Sequence, residues 1–164
     1  MTQRPILSFP NPDLRKRAEP VPCFDTDLRA LAGDLLDTMR AAPGIGITAP
    51  HVGVLLRVVV LELKPGEVRT YINPVLDWTS PETIRHVEGS VSMPGVTDEI
   101  ERHARVRIRY QDLDGAEHGE EADGLLAVCH QHEIDQLDGI FWIDRLSRLK
   151  RDRLIARYNK LRRN

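Results

Sequence analysis

The chain has 164 residues, a formal net charge of −2 and two cysteines, which suits one compact domain over residues 1–164 that buries roughly two-thirds of its unfolded surface. A balance this close to neutral argues against general polyanion binding, and two thiols cannot build the disulfide framework of a small secreted protein. The longest apolar runs, such as Val52 to Val60, are broken by Gly53 and Arg57 and stop well short of the ~20 residues that cross a bilayer, so no membrane partner is expected. The N-terminus lacks the apolar core and cleavage site of a secretory signal, and a soluble cytoplasmic protein with reduced thiols is the expectation.

Asn11-Pro12-Asp13-Leu14-Arg15 reads as a turn feeding a short helical piece that Pro20 and Pro22 end. Thr26 is placed to cap a helix running to about Ala42, with Leu28, Leu31, Leu35 and Met39 at helical spacing. The Gly44-x-Gly46 that follows is not a dinucleotide fingerprint, because no strand precedes it, a third glycine at the required spacing is missing, and Pro50 blocks a following helix. Glycines there let a backbone pass close to a ligand, as a bound peptide would need. Val58 to Leu63, Tyr71 to Leu76 and Ile84 to Glu88 read as strands. Val106, Ile108 and Tyr110 alternate with Arg105, Arg107 and Arg109, the pattern of a half-buried strand with a solvated arginine face. Asp112 to Gly115 carries a hairpin signal. Without βαβ alternation, the class is α+β with mainly antiparallel sheets.

Asp123 is placed to cap a helix that stops near Gly139, and a last helix begins near Ser147 with Leu146, Leu149, Leu154, Tyr158 and Leu161 as its apolar arc. Acidic residues gather between Glu99 and Asp138, whereas 145–164 is basic. The helix after Asp123 carries His132-Glu133-Ile134-Asp135-Gln136. A His-Glu-x-x-His helix sets two imidazoles on one face for a cation and a glutamate beside them as general base. Here the second histidine is Gln136.

Three separated segments, Gly44-x-Gly46-x-Thr48-Ala49-Pro50-His51, Glu88-Gly89-Ser90-Val91-Ser92 and Gln131-His132-Glu133-Ile134-Asp135-Gln136, resemble in order and spacing the three motifs of the peptide deformylases. Those motifs read Gly-φ-Gly-φ-Ala-Ala-Pro-Gln, Glu-Gly-Cys-Leu-Ser and Gln-His-Glu-x-Asp-His, and the likeness extends over nearly the whole chain. The resemblance implies a deformylase-like fold, with antiparallel sheets packed around a central helix carrying His132 and Glu133. It also implies the family's activity, removal of the formyl group from N-formyl-methionyl nascent chains by an Fe²⁺ or Zn²⁺ held by one cysteine and two histidines. Peptides would lie along Gly44, Gly46, Ile47 and Gly89. Glu133 would move the proton, and His51 and the Val91 N–H would take the oxyanion positions. His132 would be a metal ligand, with Ser90 and Gln136 at the other two ligand positions.

These departures differ in weight. Valine at 91 keeps the backbone N–H, which is all that role requires. Serine for cysteine replaces a soft anionic thiolate with a neutral, weakly ligating hydroxyl, and the Gln136 amide oxygen is a poor ligand beside imidazole. A four-ligand zinc site contributes about 10–16 kcal/mol, a few kcal/mol per ligand, so losing two ligands removes tight binding. Without the cation Glu133 has no acidified water to deprotonate. The expectation is a deformylase-like protein with lost or strongly reduced metal-dependent activity. Two alternatives are an enzyme rebuilt around His51 and His132, and a hydrolase with a new substrate built on His51, Ser90 and Gln136. A third is a non-catalytic protein that binds peptides, or ribosomes through the basic C-terminal helix. Two further expectations concern neighbours of the site: Cys129 packs as a small buried residue, and Glu88 pairs with Arg102.

Overall fold

The computed structural model describes residues 2–163. Helix α1 spans Thr26–Ala41, followed by strands β1 (Gly46–Thr48), β2 (Val58–Leu61), β3 (Arg69–Thr79), β4 (Thr83–Glu88), β5 (Asp98–His103), β6 (Arg105–Gln111) and β7 (Glu117–Asp123). Helices α2 (Gly124–Leu137) and α3 (Arg148–Arg163) complete the chain, and 3₁₀ turns occupy Pro12–Arg15, Ala49–Val52 and Trp142–Arg145. A five-stranded sheet runs in the order β1-β2-β3-β6-β7, and β4 and β5 form a second, two-stranded sheet. Every named pairing is antiparallel, and the class is α+β. No helix among the described residues is long and apolar enough to cross a membrane.

Strand β2 explains the layering. All four of its residues are buried, because Val58 and Val60 pack with α1 while Val59 and Leu61 face the α2 side. A strand covered on both faces loses the polar half of its alternation and reads as a plain apolar run. Strand β6 is covered on one face only: Val106 and Ile108 join the α2 cluster while Arg105, Arg107 and Arg109 stay exposed. Helix α2 thus lies in the middle, against β1, β3, β5 and β7, with ten of its fourteen residues buried. Such burial on nearly all sides marks a helix enclosed by the fold.

Several local expectations change in the structure. Asp25, not Thr26, caps α1, its carboxylate accepting the Leu28 N–H at 3.0 Å. Asp123 sits at the start of α2 without a side-chain capping bond. Strands β5 and β7 are additions: β5 buries Arg102 on its inward face, and β7 is Glu117-His118-Gly119-Glu120-Glu121-Ala122-Asp123, so neither shows apolar alternation. Hairpin pairing with β6 creates β7, setting Arg107 opposite Glu121 at 2.9 Å and offsetting the like charge along each strand. Helix α3 docks through Leu154 and Tyr158, whereas Leu149 and Leu161 of the expected apolar arc are exposed.

Candidate functional site

The three motif segments meet at one cavity of about 450 Å³, within the usual range for small-ligand sites. Its walls include Gly44, Gly46 and His51 from the β1 segment, and Gly89, Ser90 and Val91 from the loop after β4. Cys129, His132 and Glu133 reach it from α2. Ile47 does not. Strand alternation turns its side chain to the opposite side of β1, into the fully buried cluster beneath α1, which leaves only its backbone to face a ligand. Sequence reasoning also missed the rim, where Ile45, Val87 and Leu125 line the cavity and remain exposed. No periodicity distinguishes an apolar residue at a cavity mouth from a core residue.

Close packing accounts for the glycine at 46. A Cβ there would lie 2.9 Å from Leu61 Cδ2 and 3.4 Å from Glu133 Oε1, so the chain passes against the glutamate with no room for a side chain.

A buried network of charged side chains holds the α2 residues. Arg102 grips Glu88 through Nε and Nη2, each at 2.8 Å, and donates from Nη1 to Asp135 at 2.7 Å. Arg145 adds two bonds to Asp135 at 3.0 and 2.8 Å. His132 Nδ1 lies 2.8 Å from Glu88 Oε1. Burial alone would raise the Glu88 pKa, but the bonds from Arg102 and His132 outweigh it and hold the group at about 2. Glu88 is therefore an ionised acceptor, which places a proton on His132 Nδ1 and turns Nε2 toward the cavity. Burial opposes the charged form of His132, yet the Glu88 bond and the Glu133 carboxyl carry its pKa above the ordinary value. The Glu88–Arg102 pairing matches the expectation from sequence, and Arg145 is an addition.

Glu133 is 4% exposed, and burial pushes its carboxyl up to about 7. Its Oε1 stands 3.6 Å from His132 Nε2. Cys129 is buried, and burial together with Glu133 drives its thiol up to about 12, so it is an unreactive packing residue at neutral pH. His130 points away from the cavity, its Nε2 2.6 Å from Glu120 Oε2 and its ring edge-on to Tyr71. Among the described residues, four buried side-chain polar atoms lack a partner, and two of them, His51 Nε2 and Glu133 Oε2, belong to cavity residues. Such atoms are the natural contacts of a ligand.

The donor set does not fit a tight Fe²⁺ or Zn²⁺ site. Ser90 Oγ accepts the Ser92 N–H at 3.1 Å. Gln136 is 2% exposed and donates from Nε2 to the Leu14 carbonyl at 2.7 Å, which anchors the amide to the N-terminal 3₁₀ turn. Among the described residues no group of three or more His, Cys, Asp or Glu side chains is placed to hold a metal ion. One imidazole beside a neutral hydroxyl and an anchored amide is a weak ligand set for either cation.

Comparison with known proteins agrees with the motif resemblance. The family described as Polypeptide deformylase matches residues 3–152. A Brucella suis biovar 1 (strain 1330) protein named Peptide deformylase-like is 70% identical, over 99% of this chain and 100% of its own length. A second protein of the same strain, named Peptide deformylase, is 43% identical over 98% of this chain and 94% of its own length. The crystal structure of a peptide deformylase from Legionella pneumophila superposes with a TM-score of 0.94 at 36% identity, covering 99% of this chain and 96% of that one. The chain belongs to the polypeptide deformylase family.

Proposed function

We propose that the 164 residues act as one domain that binds the N-terminal segments of peptides, of the N-formyl-methionyl or nascent-chain class its family processes, with metal-dependent deformylation lost or strongly reduced. The observation that carries this reading is the Gln136 amide, buried and committed to the Leu14 carbonyl at 2.7 Å at the position where the resemblance calls for a second histidine. The Ser90 hydroxyl at the thiolate position adds to it, and His132 is left as the lone strong donor. The peptide-binding part rests on backbone lining the cavity at Gly44, Gly46 and Gly89, and on an apolar rim of Ile45, Val87 and Leu125. The two Brucella suis relatives support the same reading, because one strain carries a deformylase-like protein beside a deformylase, so the former need not supply the activity.

A deformylation assay on a formyl-methionyl peptide tests this, with wild type beside the double reversion Ser90→Cys, Gln136→His. Activity in the reverted protein alone is expected. Equal activity in both would sink the proposal. Nascent chains also suggest a ribosomal setting, for which Lys150, Arg153, Arg157 and Lys160 on α3 provide exposed cationic contacts whose grip on phosphates weakens with salt. Failure to co-sediment with ribosomes at low salt would remove that extension.

A further inference from the structure

His51 presents an imidazole where a metal centre could be rebuilt or a base supplied, and its hydrogen bonding decides between those roles and a third. The residue is 1% exposed. Its Nδ1 receives the Thr48 backbone N–H at 2.9 Å, and the Thr48 hydroxyl lies 2.9 Å from the same nitrogen. Thr48 ends β1 at the N-terminus of the 3₁₀ turn that carries His51, so the His51 ring folds back onto the residue that opens its own turn. A hydroxyl can turn to give or take a proton, but a backbone amide can only donate. Nδ1 must therefore offer a lone pair, which leaves the proton of the neutral ring on Nε2.

We infer that Thr48 locks His51 into the Nε2–H tautomer, making it an obligatory hydrogen-bond donor into the cavity that holds a ligand carbonyl oxygen and serves neither as metal ligand nor as base. The ligand part of this inference rests on the peptide-binding reading above. A cation at Nε2 would need the lone pair that the proton occupies. Moving the proton to Nδ1 would aim it at the Thr48 amide hydrogen, and a base would need the same lone pair. Burial and the neighbouring His132 agree with a neutral ring, holding His51 down at about 3.

Two features specify the ligand chemistry. His51 Nε2 is buried without a partner and the residue lines the cavity, so a donor stands ready with no protein acceptor. Glu133 Oε2 is the second unpartnered atom in the same cavity. An amide brings a carbonyl oxygen for the first and an N–H for the second. A free ammonium terminus brings donors only and leaves the His51 N–H unmatched.

Long-range ¹H–¹⁵N correlation spectra of the full chain labelled with ¹⁵N-histidine test the tautomer, with His51→Gln identifying the resonances by their loss. A pyrrole-type Nε2 and a pyridine-type Nδ1 are expected at pH 7, unmoved by added zinc. A protonated Nδ1, an imidazolium or a zinc-induced shift at His51 overturns the inference. Calorimetry with N-formyl-Met-Ala-Ser tests the donor role. His51→Ala should bind about tenfold more weakly, and His51→Gln, which restores an N–H donor, within about threefold of wild type, with circular dichroism confirming that both variants fold. Binding by His51→Ala as tight as wild type overturns the donor role. If wild type binds no peptide, the peptide-binding reading falls, and the spectra still decide the tautomer.

Discussion

Glu133 and Arg102 occupy the same buried region with opposite provision for charge. Arg102 is 4% exposed and satisfied by two carboxylates, and removing it would leave buried Glu88 with His132 alone and Asp135 with Arg145 alone. Arg102→Met is expected to cost about 3–5 kcal/mol, lowering the thermal midpoint by roughly 10 °C, as differential scanning calorimetry would register. A change of a degree or two would show that solvent reaches the pair. Glu133 has no such partner, and its pKa of about 7 stands above the ordinary value of 4.5. The folded state therefore holds the proton more tightly than the unfolded chain. The resulting stability is fully present below pH 4.5 and is lost as pH rises through about 7. Glu133→Gln, which cannot ionise, should match wild type near pH 4.5 and exceed it at pH 8 by up to about 3 kcal/mol. A difference independent of pH in urea unfolding would refute the buried-charge account. The sequence marks His132, Glu133 and His51 as chemically interesting, but it leaves open which atoms are satisfied. The Thr48 amide that orients His51 is a backbone group, invisible to any motif.

At the level of elements, helix α2 ends where it does for two physical reasons that coincide at Gly139. Its φ is +79°, a conformation that L side chains rarely adopt, and a Cβ there would lie 2.5 Å from the Arg15 carbonyl oxygen. Gly139→Ala should therefore cost about 2–3 kcal/mol, combining backbone strain with displacement of the N-terminal turn. Thermal unfolding would show a fall of roughly 5–10 °C, and an unchanged midpoint would mean that the turn moves aside freely. The helix end was legible from sequence because glycine after an apolar run is a stop signal. Strand β2 was legible as an apolar run, β6 as an alternation. Strands β5 and β7 were not, since β5 turns an arginine inward and β7 owes its existence to its hairpin partner.

Across the whole molecule, buried side chains from distant segments tie the walls of the cavity together. The Glu88–Arg102–Asp135–Arg145 chain joins β4, β5, α2 and the segment before α3, and the Gln136 amide joins α2 to the N-terminal 3₁₀ turn. A ligand bound only by the folded state stabilises it by RT ln(1 + [L]/Kd), and the weak donor set proposed around Ser90 and Gln136 keeps that ratio small for a cation. Neither excess EDTA nor equimolar Zn²⁺ is therefore expected to move the midpoint by more than about 1 °C. A fall of several degrees with EDTA would reveal a resident cation and undo the reading of the Gln136 position.

Family, fold class and the three converging segments followed from sequence alone, because spaced motifs and hydrophobic periodicity are local records of a shared chain path. The chemical departure at Ser90 and Gln136 was equally legible, since ligand strength is a property of residue type. Tertiary structure decided the rest. It put the Ile47 side chain under α1, Gln136 against Leu14, and the unpartnered atoms of His51 and Glu133 into one cavity. Those outcomes depend on which distant groups meet, and a side chain's proton, charge and direction are set by partners the sequence does not place beside it.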